Sequence, residues 1–111
     1  MEMNMIYNED CLITMAGMPD NFVDLTVTSP PYDDLREYDG YNFDFKNVAE
    51  ELFRVTKKGG VVVWVVGDAT VDGSETGTSF RQALFFKDIG FRLFDTMIYI
   101  KNGGLNSGSN K

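Results

Sequence analysis

The run Val61-Val62-Val63-Trp64-Val65-Val66 puts no polar side chain on either of its two alternating faces. A strand with one wet face would alternate apolar with polar residues. An unbroken apolar run is the pattern of a strand inside a sheet covered on both sides, which is the habit of parallel sheets flanked by helices. Just before it, Phe45, Val48, Ala49, Leu52 and Phe53 recur at i, i+3, i+4, i+7 and i+8, the stripe of an amphipathic helix, with Asp44 as its candidate N-cap. Lys57, Lys58, Gly59 and Gly60 between the two read as a helix stop, with cations at the negative end of the helix dipole and glycine available for a left-handed turn.

The remaining segments extend this pattern. Residues 3–7 are a short apolar stretch with the composition of a strand. Asp10 then stands where it could cap a short helix over residues 12–18, stopped by Gly17 and Pro19. Residues 22–28 alternate through Val23, Leu25 and Val27 and end against Pro30 and Pro31, which can donate no backbone hydrogen bond. Residues 33–42 read as an acidic surface loop, 67–78 as a glycine- and acid-rich loop, 79–89 as a helix and 91–101 as an aromatic strand. Residues 102–111 are Gly, Asn and Ser apart from Leu105 and a terminal Lys, and are expected to form a flexible polar tail.

The order β, α, β, loop, α, β, loop, α, β predicts one domain over residues 1–101. Its expected fold class is α/β, an open, mostly parallel sheet of the doubly wound kind flanked by helices. Such sheets bind ligands outside the carboxyl ends of their strands. That rule selects residues 8–11, 28–32 and 67–70.

Composition narrows the chemistry. The single cysteine, Cys11, and the absence of histidine exclude an internal disulfide, a Cys/His zinc site and any histidine base. No metal is expected. No apolar run approaches the roughly 20 residues of a membrane span, and residues 1–7 lack a secretory signal pattern, so the expected location is the cytoplasm, with no membrane partner. A net charge of −7 suits stand-alone nucleic-acid binding poorly, because phosphate affinity comes mainly from Lys and Arg. If DNA is the substrate, another segment or subunit must supply the basic surface.

Thr28-Ser29-Pro30-Pro31-Tyr32 leaves the carboxyl end of a strand, where two prolines stiffen the backbone and leave carbonyls unpaired. A planar base could stack on Tyr32 while its exocyclic amino group donates to the Ser29 hydroxyl and the Pro30 carbonyl. An exocyclic amine is a poor nucleophile because its lone pair is delocalised. Holding it pyramidal and in line with an activated methyl is most of what a catalyst must supply. The plainer reading is that the prolines end a strand and Tyr32 packs locally.

Residues 5–32, from Ile6-Tyr7-Asn8-Glu9-Asp10-Cys11 through Val23-Asp24-Leu25-Thr26-Val27-Thr28-Ser29-Pro30-Pro31-Tyr32, resemble the opening of the DNA methylases that modify N4 of cytosine or N6 of adenine. Phe53-Arg54-Val55, the Lys57 to Gly60 segment, Gly67-Asp68-Ala69 and Gly90-Phe91 before an aromatic stretch follow the same family's order. The resemblance is to permuted members, in which the catalytic half comes first. It implies an incomplete Rossmann-like methyltransferase fold, S-adenosylmethionine as cofactor, and DNA as a partner engaged through the complete enzyme. Carried over by position, Ser29, Pro30, Pro31 and Tyr32 form the catalytic box, while Asp10, Cys11 and Thr28 approach the cofactor. Asp10 serves equally well as a plain helix cap. Asp68 could face the site or be a solvated loop carboxylate.

The chain holds no match to the family's glycine-rich cofactor segment, since Gly59-Gly60 and Gly103-Gly104 lie in a helix stop and a polar tail. The expectation is a truncated half that is inactive alone, with self-association or a second chain at an open sheet edge. The competing readings are a split-enzyme half or non-catalytic binding module, and an enzyme acting on an amide or RNA amine. A generic nucleotide-binding protein is disfavoured because no phosphate-binding glycine loop follows a strand.

Overall fold

A computed structural model describes residues 1–30 and 43–95 of the chain. Its elements are α1 (Cys11–Ala16), β1 (Val23–Thr28), α2 (Phe45–Val55), β2 (Thr56–Trp64), a small hairpin of β3 (Thr70–Val71) and β4 (Ser74–Glu75), and α3 (Thr78–Ile89). The loop expected at residues 33–42, the end of the strand expected over 91–101 and the tail expected over 102–111 lie outside the described residues.

β1 and β2 pair in parallel, with Leu25 opposite Val61 and Thr28 opposite Trp64. The ladder continues one step past β2, where the Val65 amide donates to the Thr28 carbonyl. The parallel arrangement expected from the valine run is therefore present, with α2 as the crossover between the two strands.

Asp44 caps α2 as expected, its side chain accepting from the Asn47 amide. The apolar stripe of α2 does the packing: Val48, Ala49, Leu52 and Val55 are buried with Met15 and Phe86. Edge-to-face aromatic contacts join the layers, with Phe45 against Trp64, Phe85 and Phe86, and Phe91 against Phe53 and Phe86.

Several expectations are corrected. Residues 3–7 form no strand; Ile6 is 95% exposed and no described strand pairs with them, so their backbone has no ladder to join. α1 closes at Ala16, with Gly17 as its C-cap. Residues 57–60 do not form a stop at the end of α2. The Thr56 hydroxyl and amide satisfy the Leu52 carbonyl, and the chain passes directly into β2. The extra residues are absorbed by a break in register between Val23 and Leu25, where Lys57 pairs with Asp24 instead of the helix end. Gly60 lies so close to β1 that an added Cβ would stand 3.0 Å from the Asp24 carbonyl and 2.9 Å from that of Lys57. The expected 67–78 loop contains the β3–β4 hairpin, turned at Asp72-Gly73 with positive φ at both residues. Residues 91–95 carry no strand.

The largest departure concerns the faces of the sheet. Leu25, Val27, Val61 and Val65 are 58%, 64%, 52% and 42% exposed, so the helices among the described residues cover one face only. Thr26 and Thr28 occupy the covered face, beneath α2.

Candidate active site

The end of β1, the start of α1 and the underside of α2 enclose a cavity of about 370 Å³. Met15, Met18, Val48, Leu52 and Val55 make its apolar wall, Phe43 and Trp64 its aromatic side, and Thr26, Thr28, Ser29 and Cys11 its polar positions. Pro30, also lining it, is buried, whereas Ser29 is exposed.

Of the residues singled out in the sequence, Cys11, Thr28, Ser29 and Pro30 thus share one cavity. Pro31 and Tyr32 lie outside the described residues. Asp10 does not line the cavity but adjoins it through Cys11. Its Oδ1 accepts from the Leu12 amide at 2.9 Å and its carbonyl takes the Ile13 and Thr14 amides, so the capping role is present. The second carboxylate oxygen has no partner among the described residues. Cys11 is an exposed free thiol, and its partial burial, with the neighbouring Asp10 charge after it, pushes its pKa up.

Asp68 is half-buried and tied to the start of α3. Its two oxygens accept from the Ser79 amide at 2.7 Å and the Ser79 hydroxyl at 2.8 Å, supplying the side-chain cap that Gly77 cannot give α3.

Arg54, not singled out from its residue type, holds the wall in place. All of its donor groups are engaged: Nε and Nη2 grip Glu51, Nη1 reaches the Met18 carbonyl and Asp20, and Nη2 reaches the Met15 carbonyl. The planar fork of a guanidinium suits this task, since one side chain fixes the end of α1 and the turn into β1 together. The hydrogen bonds from Arg54 hold the Glu51 carboxyl below the usual carboxylate range. Residue spacing could not reveal this pairing, because Arg54 and Met15 are 39 positions apart.

Among the described residues, no group of three or more His, Cys, Asp and Glu could hold a metal ion, and no helix is long and apolar enough to cross a membrane.

A serine-proline pair at the carboxyl end of a parallel strand, lining a cavity, fits the sequence resemblance. The chain belongs to the DNA methylase family, whose profile matches residues 23–111. The family is one of enzymes. Among its relatives, the orphan methyltransferase M.BamHII of Bacillus amyloliquefaciens is 72% identical over 80 residues, which are 72% of this chain and 30% of that protein. The type II methyltransferase M.BglII of Bacillus subtilis is 31% identical across 95% of this chain and 31% of its own length. The type II beta methyltransferase M.BslI of a Bacillus species is 28% identical across 83% of this chain and 12% of its own length. The matched segment is therefore less than a third of each of these proteins. No solved structure matches the chain.

Proposed function

We propose that residues 1–101 are the catalytic half of a site-specific DNA methyltransferase with a Rossmann-like fold in permuted order. The reaction transfers a methyl group from S-adenosylmethionine to the exocyclic amino group of cytosine (N4) or adenine (N6). The observation that carries this reading is the position of Ser29 and Pro30 at the carboxyl end of β1, on the rim of the cavity and inside the family-matched segment.

In this reading the Ser29 hydroxyl and the Pro30 carbonyl accept hydrogen bonds from the target amino group and draw its lone pair out of conjugation. Tyr32 provides the stacking surface and Pro31 keeps the turn rigid. Ser at position 29 favours cytosine N4. The cofactor, when bound, supplies a methyl activated by its sulfonium. The residues near α1 fit its adenosine end, since the second oxygen of Asp10 is available to a ribose hydroxyl and Cys11 and Thr28 line the adjoining cavity. Calorimetric titration of S-adenosylmethionine into the 111-residue chain tests this placement. Weak, saturable binding is expected, since no glycine-rich cofactor segment lies in this chain, and it is lost in Asp10→Ala while the chain stays folded. A folded chain that binds nothing would remove cofactor binding from these residues.

The uncovered apolar face favours a second element of the same reading. Leu25, Val27, Val61 and Val65 form a continuous exposed patch on a parallel sheet, a surface that such sheets normally bury. A second chain, or a second copy, covers it. Sedimentation velocity at micromolar concentration is expected to show association, and a well-behaved monomer would argue against it.

A further inference from the structure

α3 is apolar on two sides, and α2 is not. α2 turns Lys46, Asn47 and Glu50 to solvent, and its one exposed large apolar residue, Phe53, rests against Phe91. α3 packs Phe86 inward with the partly buried Phe85 and Ile89, yet it also carries Phe80 and Leu84 on its outer side, 67% and 58% exposed. Four positions apart, these two stand one above the other as a ridge along the helix. A helix that is apolar on both sides is ordinarily covered on both.

Opposite charges flank the ridge. Arg81 at the start of α3 and Asp88 in its last turn fall on the same side of the Phe80 to Leu84 line at 3.6 residues per turn, and both are exposed. The Arg81 guanidinium is drawn back toward the helix start, where Nη1 donates to the Thr76 carbonyl at 2.8 Å and Nη2 to the Thr78 hydroxyl at 3.0 Å. Neither Arg81 nor Asp88 forms a salt bridge among the described residues.

A second copy of α3 laid antiparallel on the first, about a two-fold axis level with residue 82, sets Phe80 of each helix against Leu84 of the other. In that register the level of Thr76 to Thr78, where the guanidinium is held, stands opposite the last turn of the second helix. The two-fold keeps like flanks together, so each Arg81 meets Asp88 of the partner subunit. Each positive helix start also lies beside a negative helix end. Lys87 borders the ridge, and its aliphatic stem can lie over Phe80 of the partner subunit with the ammonium in water.

We propose that α3 is the contact surface of a symmetric homodimer, two copies of the helix packed antiparallel through Phe80 and Leu84 and held in register by Arg81 and Asp88. Two large side chains and one ion pair from each helix fall short of the roughly 800 Å² per partner of a standard interface, so the pairing is weak and reversible. It is separate from the exposed valine face, because α3 lies with α2 on the covered side of the sheet, against Trp64. It is also independent of the methyltransferase reading.

The test is disulfide trapping in the full 111-residue chain with Cys11→Ser as background, which leaves an introduced thiol as the only one. Chains carrying Phe80→Cys or Leu84→Cys, shown to be folded by circular dichroism, are oxidised separately and as an equal mixture. The mixed dimer is expected to form about tenfold faster than either homotypic one, because equal positions are offset by about 6 Å along the axis while the mixed pair faces directly and keeps the second Phe80 to Leu84 contact. Asp88→Arg added to both chains, which leaves the Arg81 bonds to Thr76 and Thr78 untouched, is expected to slow mixed trapping about tenfold, and Arg81→Glu added to that variant to restore it. No trapping, equal rates for mixed and homotypic dimers, or a charge reversal that changes nothing or is not rescued by the swap would overturn the proposal.

Discussion

Gly90→Ala is expected to lower the unfolding free energy of the chain by about 3 kcal/mol, read as a reduced urea midpoint with little change in slope. Two penalties combine at this position. Gly90 has φ of +130°, a conformation that L side chains rarely adopt, and an added Cβ would lie 2.6 and 2.7 Å from two atoms of the Phe53 ring. Retreat of that ring would disturb the contact of Phe53 with Phe91, whose centroids are 5.3 Å apart, and with it the packing of Phe91 on Phe86. The two penalties can be separated. In a double-mutant cycle, Phe53→Ala should relieve the steric part of Gly90→Ala and leave the backbone part, giving a favourable coupling of roughly 1 kcal/mol or more. Additive effects would mean that the ring does not press on this turn.

The pair Gly90-Phe91 was visible in the sequence only as part of a family pattern. The structure supplies its physical reason: the glycine lets the chain leave α3 close beneath a phenylalanine, and the next residue completes the aromatic contact between α2 and α3.

What was legible in the sequence is what depends on local spacing. The stripe of α2 and its Asp44 cap, the Asp10 cap of α1, the 23–28 strand and its parallel pairing with the valine run all follow from short-range periodicity and capping chemistry. The errors came where a partner decides. Residues 3–7 have strand composition and form none, because composition does not provide a neighbouring strand. The lysines and glycines at 57–60 have the composition of a helix stop, yet the Thr56 side chain satisfies that end one residue after Val55.

The site shows the same division. The Ser29 and Pro30 positions could be placed from the turn chemistry at the end of β1. Asp68 could not, since its cap on Ser79 joins residues 11 positions apart across an intervening hairpin. Alternation through Val23, Leu25 and Val27 marks β1 as a strand but does not say which face meets the helices, and a break in register falls between Val23 and Leu25. That face carries Thr26 and Thr28, which periodicity would have assigned to solvent.

The second large effect concerns catalysis. If Ser29, Pro30 and Tyr32 together hold the target amino group, removal of one hydrogen-bonding or stacking partner should lower methyl transfer by about 100-fold or more, with the fold intact, as for loss of other preorganised contacts to a reacting group. Tyr32→Ala is expected to have the larger effect, because the stacking surface orients the base as well as retaining it. Ser29→Ala should be milder where the Pro30 carbonyl still accepts from the amine.

The most direct measurement is methyl transfer by a chimera in which this chain's residues replace the matching segment of the Bacillus amyloliquefaciens relative, 72% identical over 80 residues. Labelled S-adenosylmethionine and DNA are the substrates, and the methylated nucleoside is identified after digestion. The account predicts an active chimera that yields a base methylated on its exocyclic amino group and is silenced by Tyr32→Ala. A folded chimera that transfers no methyl group, or one whose Tyr32→Ala variant works as well as its parent, would contradict it.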